Sequence, residues 1–127
     1  MKKGFLVPSA LLAAVLAFCL WNSAAMAACT ARWQAQLEEA DRLAQAGKWE
    51  QAAAAIRAGY GDWSSRQTYL HIVTGHDAVD GAEAMYHRSL AFAESWEDSE
   101  LRAELADLRD QLRLLAEMEE FSVKNVL

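Results

Sequence analysis

Histidines and aspartates near the middle of the chain are the side chains best suited to bind a metal ion. His71 and His76 lie five residues apart with Gly75 between them, and Asp77 and Asp80 follow. Zinc sites usually show tighter spacing or cysteine ligands. His71 and His76 also lack the i, i+4 spacing that would place them on one helical face. We predict no metal and no other cofactor, and if the chain does bind a metal or small ligand, His71, His76 and Asp77 are the candidate residues.

Side chains that could carry catalysis do not form a recognisable group. Ser64 and Ser65 follow no glycine elbow and have no obvious histidine–acid relay. Glu119 and Glu120 are adjacent, so a helix would turn them to different faces, as is typical of solvated charge. No stretch resembles a phosphate-binding loop. The sequence therefore predicts a protein that is not an enzyme.

The N-terminal segment predicts export. Two lysines precede a mostly apolar run of 17 residues, Phe5–Trp21, and the small-x-small stretch Ala25–Ala27 fits a signal peptidase site. We predict cleavage after Ala27, giving a signal peptide at residues 1–27 and a helical domain at residues 28–127. The alternative is an uncleaved anchor, because 17 apolar residues are at the lower limit for spanning a bilayer.

Cys29 is the only cysteine of the predicted mature chain, so no intrachain disulfide can form there. Its place just after the predicted cleavage point allows two chemistries. The first is a lipid-modified N-terminal cysteine, although Met26 is a poor match to a lipoprotein signal. The second is a spare thiol, either inert or able to link two chains.

The charge of the predicted mature chain argues against a nucleic-acid partner. Residues 28–127 carry ten basic and 18 acidic side chains, a net charge of −8. Binding to a phosphate backbone needs lysine and arginine to displace counterions, and no basic face is recognisable. We predict an exported protein, either secreted or held at the extracellular face of the cytoplasmic membrane through lipidated Cys29 or the uncleaved N-terminal segment.

Apolar residues recur at helical spacing throughout residues 28–127, which contain no proline and no alternating strand pattern. The clearest series steps by 4, 3, 4 and 3 residues and consists of Leu101, Leu105, Leu108, Leu112 and Leu115. A third helix is predicted from about Asp77 to Glu94. The sequence predicts an all-α fold, an antiparallel bundle of about four helices arranged as helical hairpins after an N-terminal signal helix.

The second predicted helix contains two glycines in its middle. Its apolar series starts at Trp49 and keeps its register past Gly59 and Gly61 to Val73. Each glycine costs about 1 kcal/mol relative to alanine inside a helix. We predict one long helix with a weak or kinked middle, and the alternative is a loop at Gly59–Gly61 that separates two short helices.

The C-terminal tail is unusually apolar for a chain end. Phe121, Val123, Val126 and Leu127 continue the apolar face of the last helix, and Asn125 can hydrogen-bond backbone groups where that helix ends. We predict that the tail packs against the end of the bundle and buries these side chains. The alternative is an exposed docking peptide, whose binding should weaken when Phe121 and Val126 are replaced by polar residues.

These features resemble a family of small uncharacterised proteins found mainly in clostridial Gram-positive bacteria. The resemblance rests on Trp49 with the alanines after it, Trp63, the pair His76-Asp77, the leucine-rich final helix and the closing "EMEEFSVKNVL". It implies an N-terminal signal or anchor, a helical domain of unknown function and a role at the cell envelope. The family brings no activity or site residues, and its members are more often continuously helical where this chain has Gly59 and Gly61.

Together the patterns predict an exported, envelope-associated helical protein that acts as a non-enzymatic interaction module near the outer face of the membrane. Its predicted partner is another envelope or membrane protein. The alternative is a small ligand- or metal-binding envelope protein.

Overall fold

The computed structural model describes the backbone of residues 2–126 and the side chains of residues 4–125. Within residues 2–126 the chain forms five α-helices and no strand, which confirms the all-α prediction. The helices are α1 (Lys2–Gln45), α2 (Trp49–Ser64), α3 (Gln67–Thr74), α4 (His76–Glu94) and α5 (Asp98–Val126).

Four of these helices form an antiparallel bundle, in which each packs against two others in the order α1, α2, α4, α5. Side chains that bridge neighbouring helices show the directions. Glu38 and then Asp41 of α1 pair with Arg109 and then Arg102 of α5, at 2.7 and 3.8 Å, so these two helices are antiparallel. α4 and α5 are antiparallel as well, because the carbonyl of Ala78 accepts from Gln111 at 2.9 Å and Arg88 pairs with Glu104 at 2.6 Å. The short helix α3 packs against α4 and α5.

The bundle therefore has two distinguishable ends. At the distal end lie the α1–α2 turn and the α4–α5 turn. At the proximal end the N-terminal part of α1 joins the bundle near Asn22. The helix α3 and the C-terminal part of α5 lie beside this point. The predicted leucine series of α5 is fully inside, with all five leucines at most 2% exposed.

The predicted signal helix and the first domain helix form one continuous helix, α1, of 44 residues. Asn22 and Ser23 interrupt the apolar run but not the helix, because a polar side chain changes which face is buried without breaking backbone hydrogen bonds. Pro8 lies in the exposed N-terminal part of α1.

The second predicted helix is interrupted, but not at the glycines. α2 continues through Gly59 and Gly61 and ends at Ser64, so the prediction of a single helix to Val73 is wrong, and the loop at Gly59–Gly61 does not form. The hydroxyl groups of Ser64 and Ser65 donate to carbonyl oxygens three residues earlier, at 3.1 and 2.6 Å. Serine hydroxyls that bind nearby carbonyls compete with the helical pattern, which favours the turn found here.

Gly61 and Gly47 give opposite predictions for substitution by alanine. Gly61 lies inside α2 with open space where a Cβ would stand, whereas Gly47 has φ +77° in the α1–α2 turn. Gly61→Ala should raise the free energy of unfolding by up to about 1 kcal/mol, because alanine is the better helix former. Gly47→Ala should lower it by about 1 kcal/mol or more, because a Cβ is strained at that φ. Urea titration of both variants measures the two shifts, and shifts of the same sign would contradict the assignment.

Candidate functional site

The N-terminal part of α1 projects from the bundle as an apolar arm, Phe5–Trp21. Phe5, Val7 and Leu12 are 68–74% exposed, and Trp21 is 70% exposed. Among the described residues, α1 is the one helix long and apolar enough to cross a membrane, judged by length and composition. The arm has 17 residues, which at about 1.5 Å per residue gives roughly 26 Å, a little less than the ~30 Å hydrocarbon core of a bilayer.

Immediately after the arm, α1 becomes part of the core. Met26 is 2% exposed and Cys29 is 5% exposed, and both belong to the main apolar cluster of the bundle. The hydroxyl of Thr30 donates to the carbonyl oxygen of Met26 at 3.0 Å. The bundle therefore includes residues on the N-terminal side of Ala27, which lie within the segment predicted to be a signal peptide.

A polar cluster joins three helices at the proximal end, where the arm meets the bundle. The amide of Asn22 in α1 donates to the Tyr69 hydroxyl in α3, and that hydroxyl donates to the Glu119 carboxylate in α5 at 2.8 Å. Glu119 is 2% exposed. Burial, and then the hydrogen bond to Glu119, raise the pKa of Tyr69 to about 12. The neutral phenol is therefore the form that this cluster holds.

Glu119 was predicted to be a solvated charge, and that prediction is wrong. Counting four residues on from Leu115, the last member of the buried leucine series, reaches Glu119. The series therefore places this carboxylate on the inward face of α5, where the Tyr69 hydroxyl satisfies it. A pairing with Tyr69, 50 residues away, could not be derived from spacing, but the acidic residue on an apolar series was a signal that a buried partner was required.

Tyr69→Phe should lower the free energy of unfolding by about 1–3 kcal/mol, because it leaves a buried carboxylate without its donor. Since the pKa of Tyr69 is raised to about 12, its neutral form contributes stability that is complete below pH ~10 and is lost as pH rises to ~12. The difference in unfolding free energy between wild type and Tyr69→Phe should therefore narrow over that range. Urea titrations at several pH values measure it, and a difference that stays constant would count against the assigned hydrogen bond.

Tyr86 provides the matched control for this measurement. Burial raises its pKa as well, but its hydroxyl finds no hydrogen-bond partner among the described residues. Tyr86→Phe removes a buried polar atom that has no partner, so we expect a neutral or stabilising effect. Equal losses for the two variants would show that ring packing, and not the cluster, determines the result.

The histidine candidates come together only in part. α3 ends at Thr74 and α4 begins at His76, and the turn between them brings the rings of His71 and His76 to a centroid distance of 4.7 Å. The nearest carboxylate oxygen to His71 Nε2 is on Asp80, at 3.9 Å. Asp77 is exposed in the first turn of α4. The described residues contain no group of three or more histidine, cysteine or acidic side chains that could hold a metal ion.

The predicted tail is helical and only partly buried. Phe121 is 66% exposed and Asn125 is exposed, so the prediction that the tail buries Phe121 is wrong, and Asn125 lies within α5. Val123 is half-buried. The side chain of Val126 and the whole of Leu127 lie outside the described residues. The reason is geometric, because α5 stays helical to Val126 and Phe121, two residues after the buried Glu119, lies on a different face of the helix.

The distal end carries an exposed tryptophan in an unusual backbone conformation. Trp96 is 68% exposed with φ +58° in the α4–α5 turn. The amide of Glu97 donates to the carbonyl of Phe92 at 3.0 Å, the same helix-ending pattern that uses Gly47 in the α1–α2 turn. Trp96 and Trp49 border an open groove of about 450 Å³ together with Arg57 and Glu94.

Comparison with known proteins identifies one family and no individual relative. No curated protein and no solved structure shows significant similarity to the chain. A model of a domain of unknown function, DUF4363, matches residues 20–126. The match begins inside the apolar arm and so includes Asn22, Met26 and the rest of the bundle. Because it covers most of the 127 residues, the chain belongs to the DUF4363 family.

Proposed function

We propose that the chain is an exported, non-enzymatic interaction module that remains tethered to the membrane by α1. The supporting observation is the continuity of α1. One helix carries the exposed arm and then, without a break, Asn22, Met26 and Cys29 of the packed bundle. A segment that contributes core side chains is costly to remove, which favours retention of the anchor over cleavage after Ala27.

The charges on the two sides of the arm support an orientation in which the bundle lies outside the cytoplasm. Lys2 and Lys3 precede the arm, and residues 28–127 carry a net charge of −8. Short basic flanks tend to stay on the cytoplasmic side, so the arm would place the acidic bundle outside. In this arrangement Cys29 stays within a buried stretch of α1, and lipid modification of it is not needed for membrane attachment.

The partner we propose is another envelope or membrane protein that meets the distal end. A tryptophan at positive φ is sterically costly, and its exposure means that little burial offsets that cost within the chain. Exposed tryptophans are frequent energetic centres of protein interfaces. Trp96 is therefore the residue whose replacement should weaken partner binding most.

The tether is tested by measuring where the natural protein is found and what its mass is. We expect it in the membrane fraction after an alkaline wash, with an intact mass that includes the arm. A mass that begins at Ala28, or one that begins at Cys29 with an attached lipid, would contradict retention of α1.

The partner site is tested separately with membrane-embedded wild type and Trp96→Ala, purified under the same mild conditions. A protein retained by wild type should be recovered severalfold less with Trp96→Ala. The control is Trp21→Ala, in the arm, which should leave recovery unchanged. Equal recovery with all three chains would remove the distal end as the binding surface.

A further inference from the structure

The end of α5 runs back along the apolar arm. α5 is antiparallel to α1, so after Arg102 beside Asp41 and Arg109 beside Glu38 it reaches the level of Asn22 at Glu119. Seven further residues continue this helix to Val126. At about 1.5 Å per residue they extend roughly 10 Å beyond Glu119, in the direction in which the arm leaves the bundle.

The last turns of the arm are less exposed to solvent than its first turn, so one side of them is covered by the rest of the chain. Val15 and Leu16 are 43% and 40% exposed, compared with 74% for Phe5, and Cys19 is half-buried. The packed face of α1 therefore continues past Asn22 into the apolar segment. Any bilayer that contains the arm must come close to the helices that pack there.

Two exposed apolar side chains lie at this end of the bundle. The hydroxyl of Ser122 in α5 donates to the carbonyl of Val73 in α3 at 2.6 Å, which ties the two helices together. Phe121 and Ile72 are the chain neighbours of these bonded residues, and they are 66% and 79% exposed.

We infer that the proximal end of the bundle rests on the bilayer, with Phe121 and Ile72 inserted at the boundary between headgroups and acyl chains. This inference rests on the proposed tether. The arm is roughly 26 Å long, slightly shorter than the hydrocarbon core. When the arm spans the bilayer, this mismatch brings the attached bundle close to the membrane surface. Lys124 lies 3.3 Å from Glu120, so the charges of these two side chains offset each other. Insertion of the apolar side chains, and not charge attraction to headgroups, therefore drives the contact with the bilayer.

The bilayer is the surface that Phe121 and Ile72 meet, because the arm inserted in it holds the proximal end of the bundle close to it. Amphipathic segments at interfaces bury their apolar side about 5–10 Å into the headgroup and acyl boundary. The seven residues of α5 beyond Glu119 are long enough to reach that depth when the arm spans the membrane. The chain would then hold the membrane at two places, and the bundle could not swing freely about α1.

The test uses the full chain in vesicles of zwitterionic phosphatidylcholine. Cys19→Ala and Cys29→Ala remove the native thiols, and a nitroxide is attached at one new cysteine in each variant, Phe121→Cys, Ile72→Cys or the exposed distal control Ala54→Cys. Vesicle flotation reports the tether. Collision of the nitroxide with a water-soluble nickel chelate and with oxygen reports depth. Circular dichroism checks the fold, and Cys29→Ser replaces Cys29→Ala if that variant does not fold.

We expect the labels at positions 72 and 121 to collide severalfold less with the nickel chelate, and more with oxygen, than the label at position 54. Flotation with all three labels equally accessible to nickel would overturn the inference and leave the tether standing. Failure to float would overturn both. Protection that appears only with spin–spin broadening between chains would show that a second copy, and not lipid, covers this end.

Discussion

Leu108→Ala is expected to lower the free energy of unfolding by about 2–5 kcal/mol. Leu108 is 0% exposed and occupies the middle of the buried leucine series of α5. Leu108 belongs to the main apolar cluster of the bundle, and α5 packs against α1, α3 and α4, so the cavity would open inside the core. The loss combines the transfer energy of the deleted methyl groups with the cavity that the neighbouring helices cannot fill. Urea titration of the full chain in detergent, followed by circular dichroism, measures it.

Leu114→Ala is the matched control, because it deletes the same atoms from the same helix at a side chain that is 45% exposed. Its cost should stay below about 1 kcal/mol, since the leucine is half in solvent before the change and no enclosed cavity forms. If both variants lose the same free energy, the leucine series is not the centre of the fold.

The sequence was sufficient to predict the fold class and the inward face of α5. Both follow from the 4 and 3 residue steps of the leucines, because that spacing places all five side chains on one face of a helix, and this apolar face is buried when it packs against other helices. The same rule predicts Glu119 as a member of the series. Its residue type favours an exposed position, whereas its place in the series favours a buried one. Glu119 is buried with Tyr69 as its partner, so the place in the series is the better predictor of burial.

Helix ends were less predictable, because they depend on local competition between a few hydrogen bonds. Gly59 and Gly61 lower helix propensity, yet α2 passes through them, since the apolar face around them is buried against other helices. The break comes instead at Ser64 and Ser65, whose hydroxyls bind the preceding turn. Tertiary packing overrides a propensity difference of about 1 kcal/mol per residue.

The proximity of His71 and His76 was missed for a related reason. The rule that residues four apart share a face holds only within one helix, and Gly75, with φ +103°, separates α3 from α4. The positive φ of the distal Trp96 is a property of the closed α4–α5 turn and cannot be derived from residue types.

Removal of the residues before the predicted cleavage point at Ala27 should have a large effect on stability, and this effect tests whether α1 can be cleaved there without damage to the bundle. A chain of residues 28–127 should be less stable than a chain of residues 22–127 by about 3–5 kcal/mol, because it lacks Met26 from the core and the Asn22 hydrogen bond to Tyr69. The shorter chain also starts α1 next to Cys29, so its first unpaired backbone amides fall beside buried residues. Thermal and urea unfolding of the two chains measure the difference.

Single substitutions in the chain of residues 22–127 identify the cause. Met26→Ala should reproduce most of the loss, about 2–5 kcal/mol, whereas Ala28→Gln, at an exposed position of the same helix, should stay within about 0.5 kcal/mol. If the two truncated chains unfold at the same urea concentration, residues 22–27 do not stabilise the bundle, and removal of the leader by signal peptidase would leave the domain intact. If the difference is as large as expected, cleavage after Ala27 would damage the fold, because the helix that we propose to cross the membrane is also part of the core.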